Sequence, residues 1–195
     1  MKIPISELNK KDVDITPYLD DCLILSSSFE LSFQNTKTAI DQFQKLGFFV
    51  HGHPKSSFIP AHVIEFLGFE LNSINMTICL TKSKKEKFKN LCLHILQLSS
   101  VKIRQIASLI GKITSAFPAS KFGKLHYRGL ENLKTYALKT NRFNFEAKIT
   151  LNDRAIEDIN WWVENIDFDF DVLWRPNPSL VMCKVMLPFL AGEHT

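Results

Sequence analysis

Tyr18-Leu19-Asp20-Asp21 places two adjacent carboxylates directly before the apolar, β-prone run Cys22-Leu23-Ile24-Leu25. Neighbouring side chains of a strand point to opposite faces, so an Asp-Asp pair suits a strand interior poorly. The pair suits the tip of a β-hairpin, because Asp tolerates turn geometry. Carboxylates there are ligands that Mg²⁺ accepts together with substrate phosphates, and such metal ions promote phosphoryl transfer. The alternative is a solvated turn without chemistry.

The elements around this pair predict a sheet with one helix. Residues 15–25 are expected to form strand, turn and strand, and residues 26–32 a loop. Apolar residues at helical spacing predict a helix over residues 33–46, which Gly47 ends. Short strands are expected at residues 48–50, 58–59, 63–71 and 76–80. This order predicts an α+β domain with helices on one face of antiparallel hairpins.

The composition changes at Thr81, where helical patterns begin. Residues 83–86 have the pattern of a capping box, with an apolar stripe behind it. A second helix is expected from about residue 100 to Pro118, a third from about residue 120 to 139, and a fourth capped by Asn152. A small-residue row at positions 107, 111 and 115 would let another helix or a nucleic-acid backbone approach closely, and helix packing is the favoured use. Trp161 and Trp162 are expected as core anchors; the alternative, base stacking, is disfavoured by the acidic surroundings. Residues 167–171 are expected to form a short exposed strand.

The charges are unevenly distributed. Residues 82–142 hold fourteen Lys and Arg against two acids, Glu86 and Glu131, although the net charge of the whole chain is only +4. A basic block of this kind favours a polyanionic partner, most simply nucleic acid. The alternative is a lysine-rich surface that keeps a helical unit soluble.

Composition excludes several classes of protein. With 195 residues and 45% hydrophobic residues, the chain can build a core and is not a disordered tail. No apolar run approaches a membrane span, and residues 1–14 show no secretory segment. Four scattered cysteines favour reduced thiols inside the cell, in the cytoplasm or the nucleus. His51 and His53 lack a nearby acidic or Cys partner, so a solvated loop is favoured over a metal pair.

Further motifs follow the Asp pair in order. They are Leu46-Gly47-Phe48, Lys55-Ser56, Phe66-Leu67-Gly68-Phe69, residues 103–113, Phe117-Pro118-Ala119 and Trp161-Trp162. In this order, residues 15–175 resemble the reverse transcriptases of DIRS-like retrotransposons, which integrate with a tyrosine recombinase. The resemblance implies an RNA-directed DNA polymerase that uses Mg²⁺. It also implies an RNA–DNA hybrid or template–primer and deoxynucleoside triphosphates as partners.

The resemblance further implies roles at the catalytic site. Asp20 and Asp21 would hold the metal ions. Lys55 would neutralise triphosphate charge or protonate the leaving pyrophosphate, and its alternative is a lysine in solvent. Tyr18 and Leu19 would lie beneath the primer–template.

Other residues would contact nucleic acid away from the reacting atoms. A primer-contacting segment is matched by Phe66, Leu67, Gly68 and Phe69, where glycine permits close backbone approach; its alternative is a buried strand. Basic residues would bind phosphates without reading bases, which suits an RNA–DNA hybrid. They are Lys102, Arg104, Lys112, Lys121, Lys124 and Arg128.

The family's first catalytic aspartate is expected on a strand before Tyr18, which only seventeen residues precede. Asp12 and Asp14 lie too close to the hairpin to supply that strand, and Pro17 disfavours a central strand. We therefore expect a reverse transcriptase fragment that is inactive alone, because one carboxylate pair does not complete a two-metal site. The alternatives are a non-enzymatic nucleic-acid-binding module and a transposon remnant without function.

The expected organisation has four segments. Residues 1–14 form an atypical N-terminal segment, 15–81 the C-terminal half of a polymerase palm, 82–140 a helical basic thumb, and 141–195 a truncated connection-like region.

Overall fold

The computed structural model describes residues 2–52, 55–167, 172–173 and 181–186, which form a mixed α+β fold. Within these residues there are six α-helices, and every strand pair whose register is known is antiparallel. The chain divides into two compact units. The first comprises Met1–Thr77 and Leu173–Thr195, and the second comprises Ile78–Val172.

The first unit contains two helices and most of the strands. In chain order its elements are α1 (Lys2–Asn9), β1 (Asp14–Tyr18), β2 (Asp21–Ser26), α2 (Phe29–Lys45), β3 (Ser57–Ala61), β4 (Val63–Phe66), β5 (Phe69–Asn72) and, much later, β10 (Val181–Met186). The strands β6 (Thr77–Leu80) and β9 (Val172–Leu173) lie where the chain passes from one unit to the other.

The sheet that carries the Asp pair has the strand order β1-β2-β10-β3. β1 and β2 are the predicted hairpin, with Tyr18 opposite Asp21. β10 is antiparallel to both β2 and β3, so a strand from far along the chain separates them. β1 is an edge strand, which is where Pro17 is tolerated because proline donates no ladder hydrogen bond.

One face of this sheet packs on the two helices of the unit. Cys22 and Ile24 of β2 and Val185 of β10 point to that face and are fully buried. Ala39 and Phe43 of α2 cover them, together with Leu8 of α1. The alternation along β2 therefore places Asp21, Leu23 and Leu25 on the opposite face.

The first helix of the prediction is longer than expected. α2 begins at Phe29, four residues earlier than predicted, because the Ser28 side chain accepts a hydrogen bond from the Leu31 amide and caps the helix. Residues 26–32 are therefore not a loop throughout. Residues 48–50 do not form the predicted strand, although Phe48 packs edge-on against Phe43.

The second unit is mainly helical. Its elements are α3 (Lys82–Leu96), β7 (Val101–Lys102), α4 (Ile103–Ala116), α5 (Arg128–Thr140), β8 (Lys148–Ile149) and α6 (Asp153–Asn165). α6 packs on α3 and α5, and α5 packs on α4. Its core includes Ile103, Ile106 and Leu109 of α4, Leu130 of α5, and Ile159 and Trp162 of α6.

Helix starts in this unit partly match the prediction. Asn152 caps α6, since its side chain accepts a hydrogen bond from the Ala155 amide. α3 is capped by Thr81, whose hydroxyl accepts from the Lys84 amide, so the predicted capping box at residues 83–86 is wrong. α5 begins at Arg128, where the Asp158 carboxylate accepts a hydrogen bond from the Leu130 amide at 3.1 Å.

Two further predictions fail and one lies outside the described residues. The third helix does not begin near residue 120, because residues 117–127 form short 3₁₀ turns and bends. The small-residue row does not pack, since Ser115 is exposed and a Cβ added at Gly111 would meet nothing within 4 Å. The strand predicted at residues 167–171 falls almost entirely outside the described residues.

None of the helices in the described ranges combines the length and the apolar character that a bilayer span requires.

Candidate functional site

The Asp pair lies at the tip of the β1–β2 hairpin. Leu19 and Asp20 form the two-residue connection, and Leu19 is in the left-handed region with φ of 50°. The side chains of Tyr18 and Leu19 are exposed, with 74% of Leu19 accessible. The hairpin therefore presents an apolar tip and two carboxylates at one end of the sheet.

Asp21 has a lysine as its charged neighbour. Lys184 of β10 lies opposite Leu23 in the register, which makes it the diagonal neighbour of Asp21 on the same sheet face. The Lys184 Nζ and the Asp21 Oδ1 are 3.9 Å apart, and each side chain is only about a fifth exposed, at 19% and 18%. Oδ1 of Asp21 is buried and accepts no hydrogen bond from the described residues.

Asp20 has different neighbours. It lines a groove between α1 and the hairpin together with Ile5, Ser6, Asn9, Lys10, Pro17 and Leu19. The Lys10 ammonium in this groove is paired with Glu7 at 2.8 Å. Asp20 and Asp21, although adjacent in sequence, therefore do not share one set of neighbours.

The donor set at this hairpin does not fit the two-metal site that the resemblance implies. The described residues contain no group of three or more His, Cys, Asp or Glu side chains that could hold a metal ion. The oppositely charged group that faces Asp21 at 3.9 Å is the Lys184 ammonium, which repels a divalent cation.

The Lys-Ser step joins the hairpin sheet through its serine. Ser56 is buried, and its hydroxyl accepts a hydrogen bond from the Met186 amide at 2.9 Å, which fixes the end of β10. Lys55 lies in a turn with an exposed side chain, and the described residues provide it no ion-pair partner. Its proposed role at a triphosphate stays a prediction.

The predicted primer-contacting segment forms the turn of the β4–β5 hairpin. Phe66 and Phe69 face each other across the hairpin, and Leu67 and Gly68 connect them with φ of 54° and 75°. Gly68 therefore serves a tight turn that needs positive φ. Phe66 is buried, which agrees with the structural alternative for that residue.

The predicted phosphate-binding residues fall into two groups. Lys102 and Arg104 both bind Glu146, at 2.8 Å and 2.5 Å. Hydrogen bonds from Lys102 and then Arg104 lower the pKa of Glu146 to about 2, so the carboxylate stays charged beside them. The other group has no ion-pair partner among the described residues: Lys112, Lys121, Lys124 and Arg128.

Like charges approach each other on α3 and α4. Burial and then the positive charge of Lys112 lower the pKa of Lys84 from its ordinary value. Lys84 and Lys112 are therefore two positive charges of the second unit that influence each other.

Three cations of the second group lie close in sequence, in residues 120–128, which we call the basic loop. Its sequence is Ser-Lys-Phe-Gly-Lys-Leu-His-Tyr-Arg and contains no acid. Lys121, Lys124 and Arg128 are exposed. Lys121 and Arg128 lie over the rings of their neighbours Phe122 and Tyr127, each at 5.6 Å, and 45% of Phe122 is accessible.

Tryptophans of α6 hold the basic loop in place. The Trp162 indole N–H donates to the His126 carbonyl at 2.6 Å, and Trp161 stacks on the His126 ring at 4.1 Å between ring centres. Gly123 lies directly against Trp162, since a Cβ there would come within 2.5 Å of Cη2. These contacts therefore hold the basic loop, which carries the three cations, in one position.

Two features of these sites were missed from the sequence. The pattern of Val181–Met186 is β-prone, but nothing local indicates that it joins the hairpin sheet and places Lys184 beside Asp21. The contact of Trp162 with Gly123 also joins distant residues. Gly123, which lies between Phe122 and Lys124, is a local signal that the third helix is interrupted.

Comparisons of the chain with family models, with curated proteins and with solved structures found no match.

Proposed function

We propose that this chain is a reverse-transcriptase-like protein that holds an RNA–DNA hybrid or template–primer and does not polymerise nucleotides by itself. The family assignment is supported by the order of sequence motifs from Tyr18 to Trp162. It is also supported by the position of the Asp pair at the tip of a hairpin in an antiparallel sheet backed by α2. On this proposal, the first unit corresponds to a palm and the helices of the second unit to a thumb.

The observation that carries nucleic-acid binding is the basic loop. It presents three exposed cations without ion-pair partners among the described residues, beside an exposed phenylalanine ring. Cations neutralise phosphates, and an aromatic face stacks with any base, so this combination suits sequence-independent binding. Because Trp161 and Trp162 fix the loop, little ordering is needed when a ligand binds.

The lack of polymerisation is proposed from the surroundings of Asp21. A two-metal mechanism requires carboxylates that converge on the cations. Besides its hairpin partner β1, β2 pairs with β10, and the residue that β10 places near Asp21 is Lys184. The polymerase that the resemblance implies would need a carboxylate from the neighbouring strand.

Fluorescence anisotropy with a labelled RNA–DNA hybrid tests the binding. The variant Lys121→Gln/Lys124→Gln/Arg128→Gln should bind more weakly, and its salt dependence should be shallower by a slope of about three, one for each lost phosphate contact. The matched control, Lys11→Gln/Lys37→Gln/Lys45→Gln, removes the same charge from exposed positions of the first unit. Equal losses in both variants would contradict a site at the basic loop.

Primer extension on an RNA template with Mg²⁺ tests the absence of catalysis. We expect no extension by the purified chain. Extension that Asp20→Asn/Asp21→Asn abolishes would show that a complete catalytic site forms, and that part of the proposal would be wrong.

A further inference from the structure

The pairing of Asp21 with Lys184 is set by strand register. β10 runs antiparallel to β2, with Lys184 opposite Leu23 and Met186 opposite Asp21. Side chains alternate along each strand, so Lys184 and Asp21 extend from the same face of the sheet as diagonal neighbours. Any change of one position in this register would turn Lys184 to the helix-covered face.

On the two central strands, β2 and β10, the other buried side chains of that face are apolar, whereas the edge strands place Asp14, Thr16 and Ser57 on it. Leu23 and Leu25 of β2 and Met182 of β10 are all buried there. A charge among such side chains is unfavourable unless an opposite charge accompanies it. Both charged side chains are about four-fifths buried and 3.9 Å apart, so each supplies the counter-charge that the other requires.

A divalent cation would need a different set of neighbours. Mg²⁺ requires closely placed oxygen ligands in near-octahedral geometry and keeps several waters. The described residues contain no group of three metal-ligating side chains, and Asp20 faces the groove beside α1. An ammonium within reach of Asp21 already occupies the region of negative potential that would attract a metal ion.

We infer that the Lys184 ammonium takes the place of a divalent cation at Asp21, so that the hairpin carboxylate is neutralised from within the fold. The site is then a metal-independent ion pair, and Lys184 is the residue that keeps it so. This inference concerns metal binding by the chain alone and does not depend on nucleic-acid binding.

Isothermal titration calorimetry with MnCl₂ tests the inference on the full chain. Any Mn²⁺ binding by the parent chain should be unchanged in the Asp21→Asn variant. Lys184→Asp replaces the ammonium with a carboxylate and should bind Mn²⁺ more tightly than the parent by on the order of tenfold or more. The double variant Lys184→Asp/Asp21→Asn should lose that gain.

Lys184→Gln gives a second measurement, since it removes the charge while keeping a polar side chain of similar reach. Its unfolding midpoint in urea should fall below that of the parent, and Asp21→Asn added to it should restore part of the loss, because the carboxylate no longer lacks a counter-charge.

Two results would overturn the inference. One is Mn²⁺ binding by the parent that Asp21→Asn abolishes. The other is strictly additive effects of Lys184→Gln and Asp21→Asn on unfolding, together with no gain of Mn²⁺ binding in a Lys184→Asp variant whose near-ultraviolet circular dichroism matches the parent.

Discussion

Gly123 and Gly111 respond oppositely to an added methyl group. At Gly123 a Cβ would lie 2.5 Å from Trp162 Cη2 and 2.8 Å from Ser120 Oγ. Gly123→Ala should therefore lower the free energy of unfolding by about 1–3 kcal/mol through overpacking. Gly111→Ala, in the open interior of α4, should raise it by about 0.5–1 kcal/mol, because alanine restricts the unfolded chain.

Urea unfolding followed by circular dichroism at 222 nm compares these two variants with the parent. The sign of the difference is the informative result. A Gly123→Ala chain as stable as the Gly111→Ala chain would mean that the loop does not lie against Trp162.

Cys22 and Cys92 should resist alkylation in the folded chain. Burial, together with the charge of Asp21 at Cys22, raises the pKa of both thiols to about 12. The thiolate is the nucleophile, so neither residue should react with iodoacetamide at about pH 8 until the chain unfolds. The pKa of each thiol in the folded chain exceeds the ordinary value of 9.0. The stability associated with burying the two protonated thiols is therefore complete below pH 9 and is lost as the pH rises toward 12.

Mass spectrometry of chains alkylated with and without urea measures the reactivity. Cys79, which is only partly buried, should be modified first. Modification of Cys22 at the same rate in the absence of urea would contradict the packing of β2.

At the scale of single elements, the start of α3 gives a direct choice between two caps. The Thr81 hydroxyl accepts the Lys84 amide in the structure, whereas the sequence pattern pointed to Ser83. Thr81→Ala should lower the free energy of unfolding by about 1 kcal/mol, and Ser83→Ala by much less. Thermal unfolding of the two variants shows which residue caps α3. A larger loss of stability for Ser83→Ala would place the start of α3 two residues later.

Elements specified by nearby residues could be predicted. The β1–β2 hairpin follows from an Asp pair between two apolar segments, and the start of α6 follows from Asn152. Residues 120–127 could not be predicted correctly, because Trp162 binds the His126 carbonyl from 36 positions away. If residues 120–127 formed a helix, the His126 carbonyl would instead accept a backbone hydrogen bond within that helix.

The candidate site likewise has features that nearby residues specify and features that distant residues specify. The hairpin position of Asp20 and Asp21, and the exposure of the basic residues, could be predicted from turn chemistry and charge. The neighbour of Asp21 could not, because strand partners are chosen by contacts across the whole chain and no local pattern specifies that β10 lies beside β2.

At the scale of the whole molecule, the first sheet depends on β10, which lies between β2 and β3. Met182 of β10 is fully buried, whereas Ile59 of β3 is 73% exposed. Met182→Ala should lower the free energy of unfolding by about 2–5 kcal/mol, and Ile59→Ala should have little effect. Hydrogen exchange should show faster exchange in both β2 and β3 for Met182→Ala.

Unchanged protection of β2 and β3 in that variant would mean that these strands are held together without β10. The same peptides of the Ile59→Ala chain serve as the reference, since that side chain lies on the surface of the same sheet.

The position of β10 also bears on how the chain is made. Contacts such as that between Ser32 and Cys183 join residues 151 positions apart, and a ribosome adding about 5–20 residues per second takes roughly 10–30 s to cover that interval. During this time β2 has an open edge and uncovered leucines, which invites chaperone binding or pairing with another nascent chain. Ribosome-bound chains that stall before residue 181 is added should therefore crosslink to a chaperone through Leu23 or Leu25. Chains whose residue 195 has already left the exit tunnel should not.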